Sequence, residues 1–204
     1  WIVPAGQPLT PLDTRILELQ DKGILVPTRD LIKTPEQIEG IRQAGIINTA
    51  TLDLAEREIK EGMTTAELDK MIHDFIISKG AIPACLGYEG FPKSCCISIN
   101  EVVCHGIPSE EEEFYEGDIV NVDITTIYNG YYADASRMFI IGKTSPECEK
   151  LVRVAKECLE IGMEAAKPWG FVGDIGKAVE KHARKNGYYV VRDLAGNGTG
   201  LAFH

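Results

Sequence analysis

Two segments in the first half of the chain carry apolar residues at helical spacing. A capping-box pattern at Thr34-Pro35-Glu36-Gln37 opens a helix that we expect to run to about Lys60, and a second pattern at Thr64-Thr65-Ala66-Glu67 opens a helix that Gly80 ends. The second helix has one apolar stripe, formed by Leu68, Met71, Ile72, Phe75 and Ile76. Between about Cys85 and Ile141, β-branched and aromatic residues separated by turn signals predict strands.

The helical pattern starts again in the second half of the chain. Ser145-Pro146-Glu147 opens a helix to about Lys167, and Asp174 opens another that Gly187 ends. Aligning the halves gives an offset of about 107–111 residues, which predicts an internal helix–helix–sheet repeat. We therefore expect a mixed α/β (α+β) fold with two pseudo-symmetric halves. A complete second half would end near residue ~253, so we expect it to be incomplete.

Residues 1–33 differ in character from the main domain, which we place at residues 34–204. Three prolines are spaced along the start of this segment, and a short helix is predicted over Leu12–Asp21, with Gly23 as its stop. We interpret residues 1–33 as an N-terminal extension or linker. A polyproline II ligand is the less favoured interpretation of the proline spacing.

A predicted hairpin brings two aspartates together. Asn129-Gly130 is the strongest short-range signal for a two-residue type I′ turn, and both flanks are rich in strand-forming residues. If these two residues form the turn, Asp123 lies opposite Ser136, and Asp134 is its diagonal neighbour on the same face. The two Cβ atoms would then be within about 7–8 Å of each other.

Two carboxylates this close must be stabilised in some way. Either one aspartate has a raised pKa, or a cation lies between them and neutralises both. Pairs of this kind bind the ions of two-metal sites. The alternative is that Asp134 is a solvated strand residue and that a hydroxyl of Thr125 or Ser136 satisfies Asp123.

Composition excludes some classes of function. The net charge of −10 argues against a nucleic-acid partner, and the run Glu110–Glu113 is interpreted as a solvated loop. There is no run of 18 apolar residues to span a membrane and no secretory leader pattern at the start. The six cysteines show no CxxC spacing and are interpreted as reduced thiols of a cytoplasmic protein.

Three stretches carry long, specific motifs. They are ACLGYEGFPKSCCISINEVVCHGIP (Ala84–Pro108), the NVD…YYADAS hairpin, and GNGTGLAFH (Gly196–His204). From about Thr34 to the last residue, the chain resembles the type I methionine aminopeptidases, whose fold is called pita-bread. The resemblance implies two pseudo-symmetric halves around a dinuclear metal site.

The resemblance also implies roles for individual residues. Asp123 would be a ligand of one metal ion and Asp134 a carboxylate that bridges both, while Asn197 stands where the family has a histidine ligand. His105 and His204 match histidines that contact the substrate. The residues that match the pocket for the methionine side chain are Cys85, Tyr88, Phe91, Cys96 and Phe203.

The implied reaction is hydrolysis of the first peptide bond of nascent proteins, which removes the initiator methionine. Two divalent ions, cobalt, manganese, iron or zinc, would be the cofactors. N-terminal methionyl peptides are the expected substrates and the ribosome a further expected partner. No nucleic acid or membrane is expected to bind.

Departures from the family pattern leave alternatives open. Asn197 replaces a histidine and two family glutamates have no counterpart, so we expect the chain as it stands to be catalytically weak. The first alternative is an inactive protein that binds peptide N-termini or a partner without hydrolysis. A further alternative is a creatinase-like hydrolase of the same fold, but the match to the methionine pocket argues against it. His73 and His182 fall within helix patterns and receive no role.

Overall fold

The computed structural model describes residues 1–203, in which five α-helices and four strands form two compact units, Trp1–Glu39 and the chain from Gly40 onward. The helices are α1 (Pro11–Asp21), α2 (Pro35–Glu58), α3 (Thr65–Ser78), α4 (Pro146–Ala165) and α5 (Val172–Lys185). The strands are β1 (Ile82–Pro83), β2 (Cys96–Ile99), β3 (Ile119–Tyr128) and β4 (Tyr131–Ile140).

The first unit is organised around a buried aspartate. Thr10 caps α1, and Asp13 at the third helical position accepts hydrogen bonds from the Thr10 amide at 2.9 Å and the Trp1 indole Nε1 at 2.8 Å. Arg29 forms an ion pair with the same carboxylate. Because the Thr10 hydroxyl and amide favour the charged form most, the pKa of Asp13 lies well below its ordinary value.

In the second unit, the strands form one antiparallel sheet centred on β3. The β3–β4 hairpin turns at Asn129 and Gly130, which have φ angles of +50° and +82°, as a type I′ turn requires. Tyr128 pairs with Tyr131 and Asp123 with Ser136, so the predicted register is confirmed. The Asn-Gly pair therefore determines which residues of β3 and β4 share a face.

One face of the sheet packs against helices and the other carries polar groups. The helix-facing core includes Leu68, Ile72, Ile76, Ile97, Phe114, Val120, Val122 and Ile124. The opposite face carries Asn121, Asp123 and Thr125 of β3, and Asp134 and Ser136 of β4. Strand alternation thus separates the stabilising face from the face with candidate chemistry.

Strands β1 and β2 lie on the same edge of β3, because β4 occupies the other edge along its whole length. Pro83 pairs with Thr126, the Ala84 amide donates to the Thr125 carbonyl at 2.8 Å, and Cys96 pairs with Asp123. The chain thus leaves the sheet beside Thr125 and returns to the same edge beside Asp123. We call residues 85–95 the wall loop.

Helices α2, α3 and α4 begin where the sequence patterns predict, and α2 and α4 end two residues before the predicted Lys60 and Lys167. Thr64 forms the predicted capping box with Glu67, and the Ser145 hydroxyl accepts from the Cys148 amide at 3.2 Å. Helix α5 begins at Val172 rather than at Asp174. Asp174 is its third residue, and its carboxylate accepts a hydrogen bond from the Phe171 amide at 3.0 Å, so it caps the helix from within the first turn.

Each half has a longer helix followed by one of 14 residues, as a repeat predicts. The longer helices are α2, with 24 residues, and α4, with 20. All six cysteines lie in the described part of the chain and are free thiols. Within residues 1–203, no helix is both long and apolar enough to cross a membrane.

Candidate metal and peptide site

The two predicted carboxylates lie on the polar face of the hairpin. Asp123 is half-buried and interacts with Asp134, whose carboxylate accepts a hydrogen bond from the Thr125 hydroxyl at 2.9 Å. Burial, reinforced by the negative charge of Asp134, raises the pKa of Asp123 to about 6. The hydroxyl of Thr125 donates to Asp134, the more exposed aspartate, whereas the charged form of Asp123 is disfavoured by burial.

His105 lies beside this pair, and a glycine fixes its approach. The Ile97 amide donates to the Gly106 carbonyl at 3.0 Å, and the Gly106 amide donates to the Ser98 hydroxyl at 3.1 Å. A Cβ on Gly106 would overlap the Ile97 carbonyl, so only glycine permits this contact. The positive charge of a protonated His105 opposes the rise in the pKa of Asp123, which indicates that the two side chains are close.

Next to the carboxylates is an apolar cavity of about 530 Å³. Its walls are formed by the wall loop, the start of β2 and the last described residues of the chain. The lining residues are Cys85, Tyr88, Glu89, Gly90, Phe91, Pro92, Cys96, His105, Ile107 and Phe203. All five residues matched to a methionine pocket are among them, and His105 connects the cavity to the carboxylates.

Aromatic rings and sulfur atoms make up the cavity walls. The rings of Tyr88 and Phe203 stack with their centroids 4.3 Å apart and an interplanar angle of 11°. Cys96 donates a thiol hydrogen bond to Cys85, and this bond together with burial raises the pKa of Cys96. Cys96 therefore keeps its proton and presents a polarisable neutral surface.

The sequence did not identify all the cavity residues. Glu89, Gly90, Pro92 and Ile107 line it through the course of their loops, which no local pattern reveals. Asn197 is exposed in a coil segment that is anchored nearby, where the Tyr132 amide donates to the Gly200 carbonyl at 2.8 Å. His204, matched to a substrate histidine, lies outside the described residues.

The carboxylate pair fits a divalent cation in charge and in ligand type. Two adjacent carboxylates, one with a raised pKa, form a site that a cation would neutralise, and carboxylate oxygens are ligands of such ions. In residues 1–203, no group of three or more His, Cys, Asp or Glu side chains converges to hold a metal ion. The described part of the chain brings two candidate ligands, Asp123 and Asp134, together at this place.

A carboxylate pair beside an apolar cavity combines the ligand type and the apolar surface that a metal-dependent peptidase uses. The family model described as Metallopeptidase family M24 matches residues 39–204. A methionine aminopeptidase A from Synechocystis sp. is 50% identical over 168 residues, which cover 82% of this chain and 66% of that protein. The chain thus spans about two thirds of the length of the curated relatives that it matches.

Solved structures agree with this class. The crystal structure of methionine aminopeptidase from Rickettsia prowazekii superimposes with a TM-score of 0.83 at 43% identity, covering 85% of this chain and 69% of that one. The Thermotoga maritima enzyme gives a TM-score of 0.83 at 35% identity, with coverage of 85% and 70%. The chain belongs to the methionine aminopeptidases of metallopeptidase family M24, and its fold is the pita-bread fold of that family.

Proposed function

We propose that this protein removes the N-terminal methionine from nascent polypeptides by metal-dependent hydrolysis of the first peptide bond. The observation that carries the proposal is the position of Cys96, which links the cavity to the carboxylates. This residue lines the apolar cavity and pairs across the sheet with Asp123. A substrate residue whose side chain occupies the cavity would therefore have its backbone beside the carboxylates.

The cavity suits an unbranched thioether. Stacked Tyr88 and Phe203 provide a flat aromatic wall, and the thiols of Cys85 and Cys96 line the same space. Sulfur–aromatic contacts contribute about 0.3–1.5 kcal/mol each, and dispersion with the thiols adds to this. A β-branched side chain would lose part of these contacts.

We propose that His105 acts on the substrate amide. Its side chain is exposed at the junction of cavity and carboxylates, where an imidazole can donate to or accept from the peptide group. We propose that Asp123 and Asp134 would hold two divalent ions, with Asn197 as a further candidate ligand. Bound divalent ions would supply Lewis-acid polarisation and activation of water.

Setting and partners are part of the proposal. Free, uncrosslinked cysteines on the cavity wall suit a reducing compartment, so we place the activity in the cytoplasm. Nascent chains are the source of N-terminal methionine, so ribosome association is proposed and is tested by cosedimentation. The substrates would be N-terminal methionyl peptides.

The test is hydrolysis of Met-Ala-Ser by the full-length protein supplied with each candidate ion in turn. We expect cleavage of Met-Ala-Ser, no cleavage of its N-acetylated form, and at least about tenfold lower kcat/KM for Leu-Ala-Ser.

Tyr88→Ala should raise KM, whereas Tyr115→Ala, which removes an exposed ring away from the cavity, should not. Equal cleavage of all N-terminal residues, or none with any ion, would overturn the proposal.

A further inference from the structure

A buried polar cluster lies behind the wall loop and is not part of the cavity. Asp69 and His73 are one turn apart on α3, and both contact the end of the loop. Oδ1 of Asp69 accepts the Ser94 amide at 2.8 Å, the Cys95 amide at 3.1 Å and the Cys95 thiol at 3.4 Å. Nδ1 of His73 and the hydroxyl of Ser94 are 2.8 Å apart.

Serine, histidine and aspartate together suggest a catalytic triad, but the geometry excludes one. Ser94 is 2% exposed and does not line the cavity, so no substrate reaches its hydroxyl. The hydrogen bonds of Asp69 go to main-chain amides and a thiol rather than to the imidazole. The three side chains therefore hold the loop in place, and the site of chemistry is elsewhere.

Asp69 is a strong anchor for this purpose. Its side chain is almost fully buried, at 7% exposure, and three donors converge on one of its oxygens. Hydrogen bonds to a charged acceptor in a buried setting are stronger than neutral ones. The anchored residues Ser94 and Cys95 immediately precede Cys96, whose thiol faces the cavity.

Besides this anchor, the wall loop has a hydrogen-bonded turn of its own. The Tyr88 amide donates to the Cys85 carbonyl at 3.1 Å and the Phe91 amide to the Tyr88 carbonyl at 2.8 Å, while the Tyr88 ring stacks on Phe203. At its start, the Ala84 amide donates to the Thr125 carbonyl, and within it the Gly87 amide donates to the Phe91 carbonyl at 2.8 Å. Glu89 has a φ of +48°, which is unfavourable for a residue with a side chain. The loop supplies six of the ten residues that line the cavity: Cys85, Tyr88, Glu89, Gly90, Phe91 and Pro92.

We propose that Asp69 and His73 are positioning residues that set the selectivity of the cavity for the side chain of the substrate's N-terminal residue. They do so by fixing Ser94 and Cys95, and through them the thiol of Cys96 and the wall loop. The inference rests on the proposed aminopeptidase function for its kinetic readout. It goes beyond that function by assigning selectivity to residues that no substrate touches.

The kinetic test compares variants of the full-length protein on Met-, norleucyl- and Leu-Ala-Ser. Asp69→Ala and His73→Ala should raise KM for Met-Ala-Ser by about tenfold and narrow the preference for methionine, while kcat stays within about threefold. Asp69→Asn and His73→Asn keep a hydrogen-bonding atom at the same place and should retain most of the preference for methionine. Asp74→Asn, an exposed site on the same helix, is the matched control and should behave as wild type.

A second readout does not depend on catalysis. Amide hydrogen exchange over residues 86–95 should be faster in Asp69→Ala than in wild type, with α4 and α5 unchanged. If Asp69→Ala fails to fold, His73→Ala provides the same comparison with wild type. The inference would be overturned if the alanine variants fold and show the same hydrogen exchange in the wall loop and the same preference for methionine as wild type. It would also be overturned if the variants lower kcat alone and leave KM unchanged. If wild type cleaves no methionyl peptide, the proposed function fails, and hydrogen exchange still tests the anchor.

Discussion

The hydroxyl of Thr125 donates a 2.9 Å hydrogen bond to the carboxylate of Asp134, the residue directly opposite it in the β3–β4 hairpin. The bond fixes the orientation of a proposed metal ligand from across the sheet. It exists only because the turn at Asn129-Gly130 sets this register. A one-residue shift would move one of the two side chains to the other face.

Thr125→Val should weaken divalent metal binding without unfolding the protein. Groups that hydrogen-bond to metal ligands typically contribute 10- to 100-fold to affinity, so we expect a loss of about that size, measured by calorimetric titration of the metal-free full-length protein. Thr126→Val is the matched control. Its hydroxyl contacts Asn48 at 2.7 Å on the opposite face, so it should lower stability and leave metal affinity unchanged. Equal metal affinity in both variants would contradict the role of Thr125.

Two glycines on α2 should respond to alanine in opposite directions. A Cβ on Gly40 would overlap the ring of Tyr131 close to its attachment, so we expect Gly40→Ala to cost about 1–3 kcal/mol of unfolding free energy. Gly45 has room, with the nearest atom, Cβ of Ala133, at 4.0 Å, and Gly45→Ala should gain about 0.5–1 kcal/mol from helix propensity. Urea unfolding of both variants measures the difference. If Gly40→Ala instead stabilises the protein, the prediction is wrong, because α2 and the Tyr131 ring must then move apart at little cost.

Much of the fold could be predicted because its signals are local. The Asn129-Gly130 turn determines the hairpin register, and the capping box at Thr64 determines where α3 begins, each from residues adjacent in sequence. The convergence of Asp123 and Asp134 followed from the register alone. Phe203 was assigned to the cavity from its motif, and the structure places it there, stacked on Tyr88.

The wall loop and its anchor could not be predicted in this way. The loop leaves and rejoins one edge of β3, and its end is held by Asp69, which is 25 residues earlier in the chain. Glu89 adopts a positive φ that its residue type does not announce. His73 was given no role, because a histidine within a helical pattern looks like any other core or surface position until its partner, Ser94, is known.

Acid should destabilise the first unit through Asp13. Its pKa is lowered in the folded state, so the charged form stabilises the fold at pH values above about 4, the ordinary range for an unfolded aspartate, and this contribution is lost as the pH falls further. Fluorescence of Trp1, whose indole contacts Asp13, reports the transition when Trp169 is replaced by Phe. Asp13→Asn should remove this pH dependence, whereas Asp21→Asn, an exposed site on α1, should retain it. An unchanged profile in Asp13→Asn would assign the acid transition to other groups.

Removal of divalent ions should abolish hydrolysis and leave the cavity intact. The carboxylates alone cannot polarise a peptide carbonyl, so a chelator should reduce cleavage of Met-Ala-Ser to background, and added divalent ions should restore it. Asp134→Asn should resist this restoration, because it removes a ligand, while Asp53→Asn, which alters an exposed ion pair of α2 with Arg137, should recover fully. The cavity walls are side chains of the protein itself, so Tyr88 and Phe203 should remain stacked in the chelated protein. Peptide binding that survives chelation, in a protein that no divalent ion makes active, would instead identify a binding module that uses the same cavity without hydrolysis.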